Sequence, residues 1–154
     1  MLPELASAMT ELDDLFNQAK PIIQTLDSTG LNYKPGVEMN SIYAITTHIV
    51  GSLKWYLGQV IAGRDMRRDR EAEFRASGAD APALMRALDD ALTFAREIFE
   101  TITPAMLDET RQARTRTVTV RQGVAHVVAH TAQHIGHIEI TAQLFKSHKT
   151  EETG

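Results

Sequence analysis

The chain has 154 residues, a length typical of one domain with a sizeable core. Its formal net charge of −4, with acids and bases interspersed, argues against binding to nucleic acid or to anionic lipid. There is no cysteine, which excludes disulfides, thiolate metal ligands and a cysteine nucleophile. We see no signal peptide and no apolar run of membrane-spanning length, so we expect a cytoplasmic protein without a membrane partner.

The first two predicted helices follow from apolar residues that recur at helical spacing. The first begins at residue 2 or 3, where a proline suits the first turn, and Pro21 is expected to kink or end it. An irregular connector leads to the second helix, which begins near Asn40 or Ser41, both favourable N-caps. Gly63 is a suitable stop for this helix.

A long polar connection separates the second and third predicted helices. Residues 64–79 contain no long element, only a turn of helix at residues 72–74, and the basic run Arg64–Arg70 is predicted to be a solvated loop. Asp80 caps the third helix, which Pro104 ends.

The last part of the chain contains the longest predicted helix. Residues 103–118 are expected to be irregular or extended, since the apolar periodicity is lost there. Thr119 and Gln122 then form a capping-box signature that opens the fourth helix, which runs to about Lys146.

Four long amphipathic helices predict an all-α protein, a four-helix bundle whose sites are built from inward-facing side chains. We assign residues 1–148 to this single domain and residues 149–154 to a flexible tail. The long second connection allows the second and third helices to run parallel, which favours an up-down-down-up order.

Four histidines share one narrow arc of the fourth helix: His126, His130, His134 and His137. His130 and His134 have the i and i+4 spacing at which two imidazoles can chelate one metal ion. The first three helices contain one histidine, His48, on a mixed face that a bundle can bring against this arc. Spacing alone leaves a metal site and an exposed polar face as alternatives.

The motifs around these histidines resemble those of the DinB/YfiT-like superfamily. The segment 129–138 is similar to the terminal helix of that family, which typically reads His-x-x-x-His-Arg-Gly-Gln-Ile. The stretch from Tyr33-Lys-Pro-Gly to Gly58 resembles the second helix, where the family places its first ligand, and residues 119–126 resemble the start of the last helix. The resemblance implies a four-helix bundle with up-down-down-up order.

By this resemblance the metal ligands fall on His48, His130 and His134. The implied cofactors are a divalent transition metal, zinc or nickel, and a low-molecular-weight thiol such as bacillithiol or mycothiol. The implied function is a thiol-dependent S-transferase acting on a small-molecule substrate, in a homodimer. A metal-dependent hydrolase and a non-catalytic metal- or ligand-binding protein remain as alternatives.

The sequence departs from the family pattern beside the last ligand. Ile135 stands where the family has arginine, and His137 stands where it has glutamine. His137 is therefore a candidate fourth ligand or proton carrier, while His126 is expected to lie beside the site or to face solvent.

Several other side chains are predicted at or near a pocket around the proposed metal site. Trp55 is a candidate for its mouth. Arg114, Arg116 and Arg121 could meet an anionic thiol, although solvation at the surface is the role we expect for each.

Overall fold

The four long helices predicted from the sequence are all present in the computed structural model, which describes residues 1–153. Shorter elements lie in the connections between them. In chain order the elements are α1 (Pro3–Thr25), α2 (Ser28–Asn32), α3 (Ile42–Trp55) with a π-helical continuation (Tyr56–Ile61), α4 (Arg70–Arg75), α5 (Ala81–Thr101), a 3-10 helix (Pro104–Asp108), β1 (Thr110–Ala113), β2 (Arg116–Thr119) and α6 (Val120–Thr153).

Side-chain caps begin three of the four long helices, α3, α5 and α6, where the sequence predicted them. The Asp80 carboxylate accepts a hydrogen bond from the backbone N–H of Ala83 at 2.8 Å, and the Ser41 hydroxyl caps α3 in the same way. At the start of α6, Gln122 N–H donates to the Thr119 hydroxyl at 3.1 Å, and Thr119 N–H donates to the Gln122 side chain at 2.9 Å. This reciprocal pair is the predicted capping box, and it satisfies two backbone donors.

The bundle has the predicted up-down-down-up order. Both α1 and α3 pack against α5 and α6, so α1 and α3 lie on opposite corners. Glu4, near the start of α1, pairs with Arg121 near the start of α6, as expected for parallel helices. Lys20, near the end of α1, pairs with Asp89 in the first half of α5, as expected for an antiparallel pair.

The core lies between the four long helices and contains the apolar stripes read from the sequence. Full burial of each large apolar side chain stabilises the fold by about 1.5–3 kcal/mol. The largest fully buried side chains are Phe16, Phe99, Leu5, Leu12, Ile23, Leu31, Ile42, Ile49, Leu57, Ile61, Leu88 and Ile98.

Two helix ends differ from the prediction. Helix α1 continues through Pro21 to Thr25, because Ala19 and Ile23 are both buried and packing outweighs the missing backbone donor. Helix α6 continues past Lys146 to Thr153, so the segment expected to be a flexible tail is helical as far as the described residues reach. Its flexibility stays a prediction, and Gly154 lies outside the described residues.

A β-hairpin that was expected only as irregular or extended chain packs beside the end of α3. Strands β1 and β2 pair antiparallel, with Ala113 opposite Arg116 at the turn. The Arg111 guanidinium donates from Nε to the carbonyl of Ile61 at 3.3 Å, which ties the hairpin to the π-helical segment. This connection places the hairpin turn at one end of the helix pair α3 and α6. No helix among residues 1–153 is long and apolar enough to cross a membrane.

Candidate metal centre

Three histidines from two antiparallel helices meet at one point. His48 lies on α3, and His130 and His134 lie one turn apart on α6. One ring nitrogen of each lies within 4.8 Å of the others. The ring centroids of His130 and His134 are 4.5 Å apart, and that of His48 is 4.8 Å from that of His134. The bundle therefore brings together the three residues that the family resemblance indicated, in an arrangement that can surround one ion.

Burial keeps these imidazoles neutral. It is the main cause that lowers the pKa of His130 to about 4 and that of His134 to about 3, and repulsion between the neighbouring histidines adds to the effect. Burial also lowers the pKa of His48, although Glu73 opposes this shift. A histidine must be deprotonated to bind a metal, so all three are in the binding form at neutral pH.

These lowered values predict a stability that falls in acid. In the unfolded chain His130 and His134 return to a pKa near 6.5, whereas in the folded metal-free protein they titrate near 4 and 3. Between these values the unfolded state binds more protons, so the free energy of unfolding decreases as pH falls from about 6.5 to about 4. Urea denaturation of the metal-free protein across this range tests the prediction. A His130→Asn variant should show a shallower pH dependence, and an unchanged one would contradict it.

A buried carboxylate fixes the orientation of His48. Glu73, on α4, lies 2.9 Å from the Nδ1 atom of His48 through its Oε2 atom. The Arg68 guanidinium donates two bonds to the same carboxylate, at 2.6 and 2.7 Å. Because a carboxylate only accepts, the hydrogen of His48 sits on Nδ1, and Nε2 keeps the lone pair that a metal needs. Carboxylates that hold metal-binding histidines in this way are common in protein metal sites.

The sequence did not reveal this ion pair, and the prediction that Arg64–Arg70 is a solvated loop is wrong at Arg68. The side chains of Arg68 and Glu73 are each 9% exposed. The predicted turn of helix in this segment is the short helix α4, which packs against α3 and carries Glu73 inward. The polar stretch has no apolar periodicity from which the burial of Glu73 could be predicted. Which of its charged side chains is buried depends on packing against α3.

The absence of a side chain at Gly51 makes room for Glu73. A Cβ atom at Gly51 would lie 2.2 Å from Glu73 Oε1 and 2.7 Å from its Cδ, closer than real contacts allow. We therefore expect Gly51→Ala to displace the carboxylate from His48 and to weaken zinc binding by about 10–100-fold, as removal of such supporting groups does. Competition with a chromophoric chelator measures this. Gly136→Ala is the control, since a Cβ there meets nothing within 4 Å. Equal zinc affinity in both variants would contradict the role of Glu73.

A cavity of about 370 Å³ opens beside the three histidines. It is bounded by α3, α4, the hairpin turn and α6. Its lining residues are His48, Ser52, Trp55, Tyr56, Arg68, Arg70, Phe74, Ala113, Arg114, Thr115, Arg116, His126, His130, Gln133 and His134. Among the residues that the structure describes, no aspartate or glutamate belongs to this lining. The cavity thus offers a small molecule access to the histidines within a basic and aromatic wall.

The remaining predicted site residues separate into two groups. Trp55, Arg114 and Arg116 line the cavity, so surface solvation is not the whole role of the two arginines. Arg121 is elsewhere, paired with Glu4 and Asp108.

The other histidines of the α6 arc flank the three-histidine group. His126 lines the cavity with its ring 4.7 Å from that of Tyr56, and burial lowers its pKa, with Arg116 contributing. His137 is exposed, and its Nδ1 atom lies 3.3 Å from Nδ1 of His134. It lies beside the group rather than within it, and its role as a proton carrier stays a prediction.

Solved structures share this fold at low sequence identity. YfiT from Bacillus subtilis, described as a probable metal-dependent hydrolase with an unusual four-helix bundle topology, has a TM-score of 0.77 at 13% identity, covering 95% of this chain and 90% of YfiT. A conserved protein from Enterococcus faecalis has a TM-score of 0.72 at 12% identity, covering 94% and 98%. A DinB-like protein from Bacillus subtilis has 0.69 at 18%, covering 91% and 92%. No curated protein sequence matches.

The sequence match extends over most of the bundle. Residues 7–138 match the model of the DinB superfamily, and this span contains the three clustered histidines, His48, His130 and His134, together with Glu73. The chain belongs to the DinB superfamily.

Proposed function

We propose that this protein is a divalent-metal-dependent enzyme that transfers a low-molecular-weight thiol to or from a small molecule. The observation that carries the proposal is the group of His48, His130 and His134, with the tautomer of His48 set by Glu73, at the wall of an accessible cavity.

The residues present fit a zinc or nickel ion. Three neutral imidazoles suit either metal, and three protein ligands are the number found in catalytic zinc sites that keep a position open. When bound, such an ion lowers the pKa of a thiol or a water molecule and polarises a carbonyl group. Because the ligands proposed here are uncharged, they would leave the full charge of the ion available for this purpose.

The lining of the cavity supports a thiol as the nucleophile. A carboxylate base often assists hydrolysis by taking a proton from water, and among the described residues no carboxylate lines the cavity. Glu73, the nearby carboxylate, is engaged by both His48 and Arg68. Even without a metal, a thiol loses its proton near pH 8.5. A thiol therefore depends less than water does on a separate base.

A metal-dependent hydrolase is the second candidate. The similarity to YfiT, itself described as a probable metal-dependent hydrolase, favours it. His126 also lines the cavity with a pKa lowered by burial, so it is largely neutral and able to accept a proton at pH 7. For either reaction the proposed partner is a small molecule, and the homodimer and cytoplasmic location that we expect belong to this proposal as well.

Cobalt-substituted protein distinguishes the candidates. Addition of L-cysteine or bacillithiol should produce a sulfur-to-cobalt charge-transfer band in the near ultraviolet if the thiol binds the metal. The same band should be absent from a His130→Ala variant. Turnover of small esters or amides without any thiol, and no such band, would support the hydrolase instead. Metal binding with neither property would leave a non-catalytic metal-binding protein.

A further inference from the structure

The cavity wall carries an excess of positive charge that the metal-binding histidines do not account for. Four arginines line it, and Glu73 neutralises one of them, Arg68. Within residues 1–153, Arg70, Arg114 and Arg116 have no carboxylate within ion-pair distance. The whole chain has a net charge of −4, so this local concentration of unpaired guanidinium groups runs against the overall balance.

The backbone at the hairpin turn is held in a conformation that does not suit its side chain. Arg114 has φ +55°, a left-handed conformation that favours glycine or asparagine. The side-chain amide of Gln112 donates to the Arg114 carbonyl at 2.8 Å, and Thr117 donates to the Gln112 side chain at 3.2 Å, which together fix the turn. The Arg114 guanidinium lies 5.2 Å from the ring centre of Trp55. A two-residue hairpin loop demands positive φ at its first position, and here an arginine occupies that position in place of glycine or asparagine and lies against an aromatic ring of the cavity.

Arg116 lies on the other side of the same turn and lines the cavity together with Tyr56 and His126. Burial is the main cause that lowers the pKa of His126 and raises that of Tyr56, and the charge of Arg116 adds to the first shift and opposes the second. The hydroxyl of Tyr56 is buried, and no group in the described part of the chain forms a hydrogen bond with it. Tyr56 and two guanidinium groups thus border the same cavity, and the guanidinium groups can donate hydrogen bonds to an oxyanion.

We propose that Arg114 and Arg116 recognise an oxyanion of the substrate, a carboxylate or phosphate group, and that the single tryptophan Trp55 borders this anion site. This inference rests on the proposed function in one respect: it takes the three histidines to be the place where the substrate reacts. Guanidinium groups bind carboxylate and phosphate through paired hydrogen bonds, and a recessed positive surface raises the local concentration of anions.

The chain has one tryptophan, so its fluorescence reports occupancy of the cavity. Zinc-loaded and metal-free protein are titrated with succinate, with inorganic phosphate and with neutral succinamide, which matches the size of succinate without its charge. We expect a saturable change with at least one anion and none with succinamide. The effective anion identifies a carboxylate or a phosphate substrate, and added salt should weaken its binding.

Two substitutions and a control variant test whether the anion binds at the hairpin arginines. Arg114→Asn and Arg116→Gln should each weaken anion binding about tenfold, which corresponds to about 1.4 kcal/mol. Asparagine tolerates positive φ, so Arg114→Asn should keep or raise the melting temperature. Arg86→Gln is the control, since Arg86 is exposed, pairs with Asp80 and does not line the cavity.

Equal binding of succinamide, unchanged affinity in the Arg114→Asn, Arg116→Gln double variant, or no saturable binding of either anion would overturn the inference. Zinc content measured on the same samples separates it from the proposed function. Arginine-dependent anion binding in a protein that takes up no zinc would overturn the proposed function alone. Zinc binding without arginine-dependent anion binding would overturn the anion site alone.

Discussion

Replacing His130 with alanine is expected to abolish metal binding while leaving the bundle folded. Wild-type protein purified without a histidine tag or chelator should contain about one zinc or nickel ion per chain. The variant keeps two of the three clustered ligands, and the loss should exceed the 10–100-fold reduction that follows removal of a supporting residue. Elemental analysis and chelator competition measure it, and circular dichroism checks that the helices remain.

The matched control is His148→Ala. His148 also lies on α6, but its ring packs at 5.5 Å from that of Tyr33, away from the cluster. It should leave the metal content unchanged. Equal metal content in His130→Ala and wild type, or no metal in wild type even after incubation with zinc and nickel, would contradict the three-histidine site. His126→Ala and His137→Ala extend the comparison, because neither residue belongs to the cluster and each should retain the ion.

Replacing Glu73 with glutamine is expected to reduce both stability and metal affinity. Glutamine cannot neutralise Arg68, whose side chain is 9% exposed, and an uncompensated buried charge costs roughly 3–5 kcal/mol. The loss of the carboxylate also frees His48 to change tautomer and should lower zinc affinity by about 10–100-fold. Urea denaturation of the metal-free protein and chelator competition give the two quantities separately.

A second substitution separates these two effects. In the double variant Arg68→Gln, Glu73→Gln the buried charge is gone, so much of the stability should return while the zinc affinity stays low. Glu71→Gln serves as the control on the same short helix, because Glu71 is exposed and pairs with Arg75 across one turn. If the single variant bound zinc as tightly as wild type, Glu73 would be a structural residue and not a support for the metal ligand.

Local patterns account for the parts of the molecule that were predicted. The apolar periodicity gave the long helices, and Ser41, Asp80 and the Thr119–Gln122 pair gave their starts, because caps and stripes depend on residues within a few positions of one another. The proximity of His130 and His134 follows from helix geometry alone. His48 is distant in sequence. Its place on a mixed helix face allowed it to meet them, and the family resemblance indicated that it does.

The connections were not predictable in the same way. Nothing in the polar run 64–79 distinguishes Glu73 from its neighbours. Arg114, which has positive φ, and Gln112, which donates to its carbonyl, lie in a hairpin that was expected only as irregular or extended chain. Pro21 was expected to disturb α1, but burial of the residues on either side maintains the helix. In each case long-range packing outweighs a weak local preference.

The sequence by itself determined the four-helix architecture, the helix starts and the pair of histidines on α6, because these depend on spacing along the chain. The tertiary structure decided which charges of the polar connections are buried and where they point. It placed Glu73 behind His48, Arg68 on Glu73, and Arg114 beside Trp55. These contacts join residues from separate segments, and their free energy comes from burial and charge pairing that exist only after the helices have packed.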